Sequence, residues 1–170
     1  MRIQIIGYSG SGKSTLARKL GEKYGVPVLH LDSVEFLPNW EKRPLTEKQR
    51  IVTEFFDGND GWVVDGNYSK LSYDRRMEEA DEIVNMDFGR LSCLWRVIKR
   101  YHTFKTATRP DMADGCIEKL DWAFIKWILW EGRSKETREK RKALAQRYAD
   151  KVTVIKNQRQ LDRYYAEKGI

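Results

Sequence analysis

The stretch Gly7-Tyr8-Ser9-Gly10-Ser11-Gly12-Lys13-Ser14-Thr15 satisfies G-x-x-x-x-G-K-[ST] in full. Ahead of it, Arg2-Ile3-Gln4-Ile5-Ile6 is a short apolar run of the kind that makes a buried strand, and behind it Leu16, Leu20 and Tyr24 recur every four residues, on one side of a helix. Strand, glycine-rich turn and helix together give the pattern its structural meaning. Glycines at 7, 10 and 12 let the main chain approach a ligand closely. The bare N–H groups of the turn and of the helix start cradle an anion, aided by the helix dipole. Lys13 would neutralise the outer phosphates of a nucleoside triphosphate and the Ser14 hydroxyl would enter a Mg²⁺ shell, with Gly7, Ser9, Gly10, Ser11, Gly12 and Thr15 completing the cofactor-binding set.

The bulk properties set limits around that reading. A chain of 170 residues with 41% hydrophobic and 34% charged residues is expected to form one domain with a core that needs no disulfides. No apolar run approaches a membrane span, and the first residues enter a strand directly, which argues against a signal peptide. Cys93 and Cys116 share no CxxC or zinc spacing and read as reduced thiols of a cytoplasmic protein. The net charge of +7 is compatible with nucleic-acid binding and equally with phosphate handling.

Outward from the glycine-rich stretch, strands and helices alternate, with no repeat or linker. Residues 26–31 read as a second strand ending at Asp32, residues 33–45 as irregular, and Thr46 with Gln49 as a capping box for a helix through Phe56. Trp62-Val63-Val64 is a third strand ending at Asp65-Gly66, Tyr73–Ala80 a short helix, and 83–86 a fourth strand ending at Asp87. A helix begins at Arg90. Residues 103–116 read as a loop, and Cys116–Trp130 as a helix apolar nearly all round, either buried or covered by a partner, a second copy included. Ser134 caps a basic helix to Ala149, 152–155 is a fifth strand, and 161–167 a last helix. Alternation of this kind implies a parallel sheet in a three-layer α/β fold, with ligands beyond the carboxyl ends of the strands. Four of those ends carry the glycine-rich stretch, Asp32, Asp65 and Asp87.

The chain resembles the small nucleoside and metabolite kinases among the phosphate-loop proteins, such as adenylate and shikimate kinases. It is more closely similar to a bacterial, adenylate-kinase-related family of DNA topology modulation proteins. The stretches 7–15, Trp62-Val63-Val64-Asp65-Gly66-Asn67-Tyr68 and Thr108-Arg109-Pro110-Asp111-Met112-Ala113-Asp114-Gly115-Cys116 carry that likeness. The resemblance implies a P-loop fold with a five-stranded sheet in order 2-3-1-4-5 and a mobile helical lid at about 103–133 within a single domain. It implies ATP and Mg²⁺ as cofactors. Asp65 matches the Asp-Gly whose carboxylate orients water on the metal. Arg96 and Arg100, one turn apart, match arginines that stack on the base and grip phosphates, and Arg109 would swing over the phosphates with the lid. Arg133, Arg138 and Arg141 fall where later catalytic arginines lie, and Asn157, Gln158 and Arg159 would edge the adenine.

Departures shape the substrate reading. Tyr68 and Ser69 replace the Pro-Arg whose arginine grips a monophosphate, and Val34 to Leu37 replace a region that should hold another arginine, which speaks against AMP as acceptor. Asp32 instead resembles the carboxylate that shikimate- and gluconate-type kinases place against an acceptor hydroxyl, with Trp40, Asn67, Tyr68 and Lys70 lining that pocket. His30 reads as a packed histidine. The expectation is an ATP- and Mg²⁺-dependent phosphotransferase in which Lys13, Asp32, Arg96, Arg100 and Arg109 are catalytic and Ser14 and Asp65 place the metal. The alternatives are a nucleotide-binding regulator acting on DNA, for which no helix-turn-helix, zinc finger or aromatic-basic strand motif is present, and an NTPase without a small-molecule acceptor.

Overall fold

The computed structural model describes residues 1–104, 111–112, 115–117 and 120–170. Five strands form one sheet: β1 (Arg2–Gly7), β2 (Val28–His30), β3 (Trp62–Asp65), β4 (Glu82–Met86) and β5 (Val152–Ile155). Every strand pairing in it is parallel, as the alternation of elements implies, and the order is β2-β3-β1-β4-β5, as the resemblance implies. The three central strands are buried nearly throughout while β2 and β5 at the edges are only partly so, and the central ones read as largely apolar runs in which Gln4 and Asn85 are the buried polar exceptions between apolar neighbours.

The helices are α1 (Lys13–Tyr24), α2 (Leu31–Glu35), α3 (Leu45–Asp57), α4 (Tyr73–Glu79), α5 (Arg90–Phe104), α6 (Trp122–Leu129), α7 (Lys135–Arg147) and α8 (Gln158–Lys168). Alternation along the strands divides the core in two. Ile3, Ile5, Val63 and Val84 pack with Leu16 and Leu20 of α1, Val97 of α5 and Leu161 of α8. Ile6, Val64 and Trp62 pack with Val52 and Phe56 of α3, Met77 of α4 and Leu144 of α7. Helices on both faces of a parallel sheet make three layers. Among the described residues no helix is long and apolar enough to cross a membrane.

Several local expectations need correction. Residues 33–45 are not wholly irregular: α2 continues β2 without a break, and Pro38–Trp40 makes a 3-10 turn. The Thr46–Gln49 capping box does not form. Helix α3 starts two residues earlier, with Pro44 rather than Thr46 at its cap position, and Gln49 Nε2 donates instead to Lys70 O at 3.2 Å. The apolar helix starts at Trp122, because Asp121 caps it by accepting from Phe124 N at 2.8 Å. It is not buried all round, since Trp122 is 71% and Trp127 49% exposed while Ile128 faces the core. The last helix begins at Gln158, ahead of the periodic residues, with Asn157 as its cap. Ser134 caps α7 as expected. Within the residues expected to form a lid, 105–110, 113–114 and 118–119, Arg109 among them, lie outside the described residues.

Arg76 ties the turn after β3 to the sheet. It is fully buried, with no carboxylate partner among the described residues, and donates to Leu71 O at 2.8 Å, Gln4 Oε1 at 3.0 Å, Gly66 O at 3.3 Å and Tyr68 O. Burial pulls its pKa down to about 10, so the guanidinium stays charged at neutral pH. Arg76→Met keeps the stem but removes the donor from Leu71 O, Tyr68 O and Gln4 Oε1, while Gly66 O keeps its bond from Gln4 Nε2 at 3.2 Å. A loss of about 3 kcal/mol in unfolding free energy is expected from urea titration, with partial recovery in Arg76→Lys; a loss under about 1 kcal/mol would show that the turn holds without it.

Candidate functional site

The glycine-rich turn joins β1 to α1 through backbone that other residues disfavour. Gly10 and Gly12 have φ of 77° and 99°, and a Cβ on Gly10 would stand 2.6 Å from Cys93 O of α5. Ser11 N closes the turn on Tyr8 O at 3.1 Å. No side chain caps α1 and no acidic residue stands in its first turn, so the leading N–H groups of this helix keep their capacity for an anion. Ser11 Oγ is buried without a hydrogen-bond partner inside the turn. Both features suit an anionic group seated there.

Lys13 folds back onto the turn and donates to Tyr8 O at 3.2 Å. Burial depresses its pKa; Asp32 and Asp65 push it back up, while Arg141 and Arg100 add to the depression. An ammonium among two carboxylates and two guanidiniums is poised for a multiply charged anion, which would satisfy the cations and displace the weak contact to a carbonyl.

The register of the sheet assembles the acidic side. His30 and Asp65 are paired residues at the ends of β2 and β3. His30 Nδ1 lies 2.6 Å from Asp65 Oδ1, and Ser14 Oγ donates to Asp65 Oδ2 at 2.9 Å. Asp65 is 4% exposed. Burial lowers the His30 pKa, but the hydrogen bond to Asp65 and its charge together outweigh that and leave it raised. Ser14 and Asp65 offer a hydroxyl and a carboxylate oxygen side by side, a hard donor set that fits Mg²⁺. Among the described residues no three His, Cys, Asp or Glu side chains gather into a metal cage. A Mg²⁺ ion would therefore rely on ligand oxygens and water for most of its shell, which is its usual habit.

Asp32 stands in the first turn of α2, and its Oδ1 accepts from Tyr68 OH at 2.7 Å. Burial, then the charge and hydrogen bond of Asp32, drive the Tyr68 pKa far up, so the phenol stays a donor. Ser9, Lys13, Asp32, Tyr68 and Arg141 line one cleft of about 1100 Å³.

Asn67 lines the same cleft, and its amide also pins the glycine-rich turn, accepting from Gly7 N at 3.1 Å and donating to Gly7 O at 2.7 Å. Other expected site residues are placed differently. Trp40 donates to Ile117 O at 2.9 Å and packs edge-on against Phe36, away from the cleft lining. Arg96 reaches Ser11 O and Gln158 Oε1, each at 2.6 Å, and stacks on Phe88, bracing the turn from outside. Arg100 is near enough for its charge to bear on Lys13. Asn157 serves as the α8 cap, while Arg159 and Arg138 are exposed.

Three features were not read from the sequence. Tyr8 is sandwiched between the guanidiniums of Arg133 and Arg141, 3.6 and 3.7 Å from the ring centre, which draws α7 onto the turn. Arg133 is further held by Phe88 O, Ile128 O and Cys93 Sγ. The His30–Asp65 pair was also missed, although strand order 2-3-1 with both residues at strand ends contains the signal. The Asn67 clamp left no signal in composition or spacing.

No family model matches the chain, and no curated protein matches it.

The raised His30 pKa gives a signed expectation. The protonated ring's contribution to stability is complete below its unfolded pKa of about 6.5 and is lost as pH rises through the folded value. The stability gap between the native chain and His30→Asn, measured from urea midpoints, should therefore be wider at pH 6 than at pH 9. An unchanged gap would mean that the imidazole is neutral beside Asp65 throughout.

Proposed function

We propose that this chain is an ATP- and Mg²⁺-dependent phosphotransferase of the adenylate- and shikimate-kinase type, related to the DNA topology modulation family. On this reading, residues 7–15 are its phosphate loop and a hydroxyl its acceptor. The observation that carries the reading is one cleft in which an uncapped α1 start and Lys13 face the Asp32 carboxylate.

The roles follow from the side chains. The amides of residues 10–13 and the Lys13 ammonium bind the β- and γ-phosphates of ATP. Ser14 and Asp65 would hold Mg²⁺, which when bound neutralises phosphate charge. His30 fixes the orientation of Asp65 from behind. Tyr68 holds Asp32 Oδ1, which leaves Oδ2 to receive the acceptor's proton. As the acceptor oxygen bonds to the γ-phosphorus, its proton passes to Asp32. The bond from the γ-phosphorus to the bridging oxygen breaks, and its electron pair leaves on ADP. Arg100, whose charge bears on Lys13, would balance charge on the transferring group, with Arg109 proposed to join it.

The test is transfer of label from γ-labelled Mg-ATP to pools of nucleosides, nucleotides and hydroxylated metabolites. Lys13→Ala is expected to lower turnover on the order of 10³-fold. Asp32→Asn should lower kcat by roughly 10²–10⁴-fold with ATP binding retained in calorimetry. Undiminished transfer by either variant, or no uptake of a purine triphosphate by the native chain, overturns the reading.

A further inference from the structure

The walls of the cleft beyond Asp32 narrow the acceptor, on the reading just proposed. A triphosphate tail answers only part of the charge there. Lys13 serves that tail, and Lys48 is neutralised inside the protein by Glu35 at 2.7 Å. The same cleft is also lined by Lys42, Lys70, Lys140, Arg141 and Arg147. Among the described residues the carboxylate partners of Lys140 and Arg147 are Glu136 and Glu78 at the surface, where water and salt weaken the attraction. Arg141 gives the sharpest signal. Its guanidinium lies flat on Tyr8, and Nη1 is buried with no hydrogen-bond acceptor among the described residues. A buried cationic donor on a cleft wall calls for an anionic oxygen brought by a ligand.

Spacing and shape add to this. Arg141 and Arg147 are six positions apart on α7, about 9 Å along its axis, a spacing that their long side chains can bridge toward one phosphate or two neighbouring ones. The cleft also carries the rings of Tyr68, Tyr73 and Tyr148. Its volume of about 1100 Å³ exceeds what a single small metabolite fills. A neutral polyol would use Asp32 and leave the cations unanswered, and a free nucleoside would cover the rings and do the same.

The geometry points to an acceptor that joins a hydroxyl to phosphate of its own: a nucleoside unit with its hydroxyl at Asp32, its base against the tyrosines, and its phosphate on Arg141 and the α7 cations. A 3′-phosphorylated nucleoside and the 5′-hydroxyl end of a nucleic acid strand share this chemistry. In either, the hydroxyl oxygen gains the γ-phosphoryl group, its proton goes to Asp32, and ADP departs with the bridging oxygen.

The experiment supplies γ-labelled Mg-ATP with thymidine, thymidine 3′-monophosphate, tetrathymidylate bearing a 5′-hydroxyl, or myo-inositol. In parallel, anisotropy of 3′-fluorescein tetrathymidylate reports binding at low and high salt. The expected result is kcat/KM at least thirtyfold higher for a phosphate-bearing acceptor than for thymidine. That ratio should fall tenfold or more in Lys70→Glu/Arg147→Glu, where both residues are exposed enough to be changed without unfolding. A lead for tetrathymidylate assigns the strand end as the source, and a lead for the monophosphate assigns the small molecule. Equal use of thymidine, preference for myo-inositol, or a ratio unmoved by the charge reversals overturns the inference while leaving the phosphotransferase reading intact. Salt-sensitive binding weakened by the reversals, with transfer to no acceptor, upholds a phosphate-bearing ligand and overturns the phosphotransferase reading instead. Neither binding nor transfer overturns the inference.

Discussion

One buried carboxylate organises the site. Asp65 is almost wholly withdrawn from water, and both of its oxygens are taken, one by His30 at the end of β2 and one by Ser14 in the first turn of α1. A buried charge persists only where such partners compensate the lost hydration. Three segments far apart in sequence are thereby fixed against one another. The parallel sheet makes this arrangement cheap, because every strand delivers its last residue to the same edge. The sheet thus determines where chemistry-bearing residues gather, and Asp65 determines how the first of them are oriented.

The opposite wall is cationic and works by different physics. Arg133 and Arg141 approach Tyr8 through its ring faces, and Arg133 hands its donors to carbonyls and a thiol. Such contacts hold guanidiniums in place without neutralising them. A carboxylate in the same position would have cancelled the charge that faces the cleft. Tyr8 is therefore more than a filler in the glycine-rich turn: it is the platform on which positive charge is stored beside Lys13.

Much of this was legible beforehand, for physical reasons. Buried central strands are mostly apolar, and glycines at fixed offsets before Lys13 and Ser14 leave few backbone paths, so the strands and the loop–helix junction could be anticipated from the residues, whereas the sheet order was implied by the family resemblance alone. Helix boundaries were less legible where a cap competes with periodicity. Asp121 and Asn157 moved two of them, and Pro44 displaced the capping box expected at Thr46. Side-chain roles were least legible. Asn67 lines the cleft but is also bonded to backbone 60 positions away, and Trp40 is drawn out of the lining by a hydrogen bond to backbone 77 positions away. Such long-range pairings leave no periodic trace in a single chain.

The segment 66–71 is a strap across the site, held at several points. Arg76 grips it from below through the carbonyls of Gly66, Tyr68 and Leu71; Asn67 is bonded to the first residue of the glycine-rich turn, and Tyr68, its neighbour, to Asp32. Adjacent residues on one strap thus touch both halves of the cleft. A molecule that shifts Tyr68 pulls on Gly7 through a single peptide unit, and one that reshapes the turn pulls back on Asp32. Any coupling that this strap carries between occupants of the two halves would be reciprocal, each favouring or disfavouring the other to the same degree.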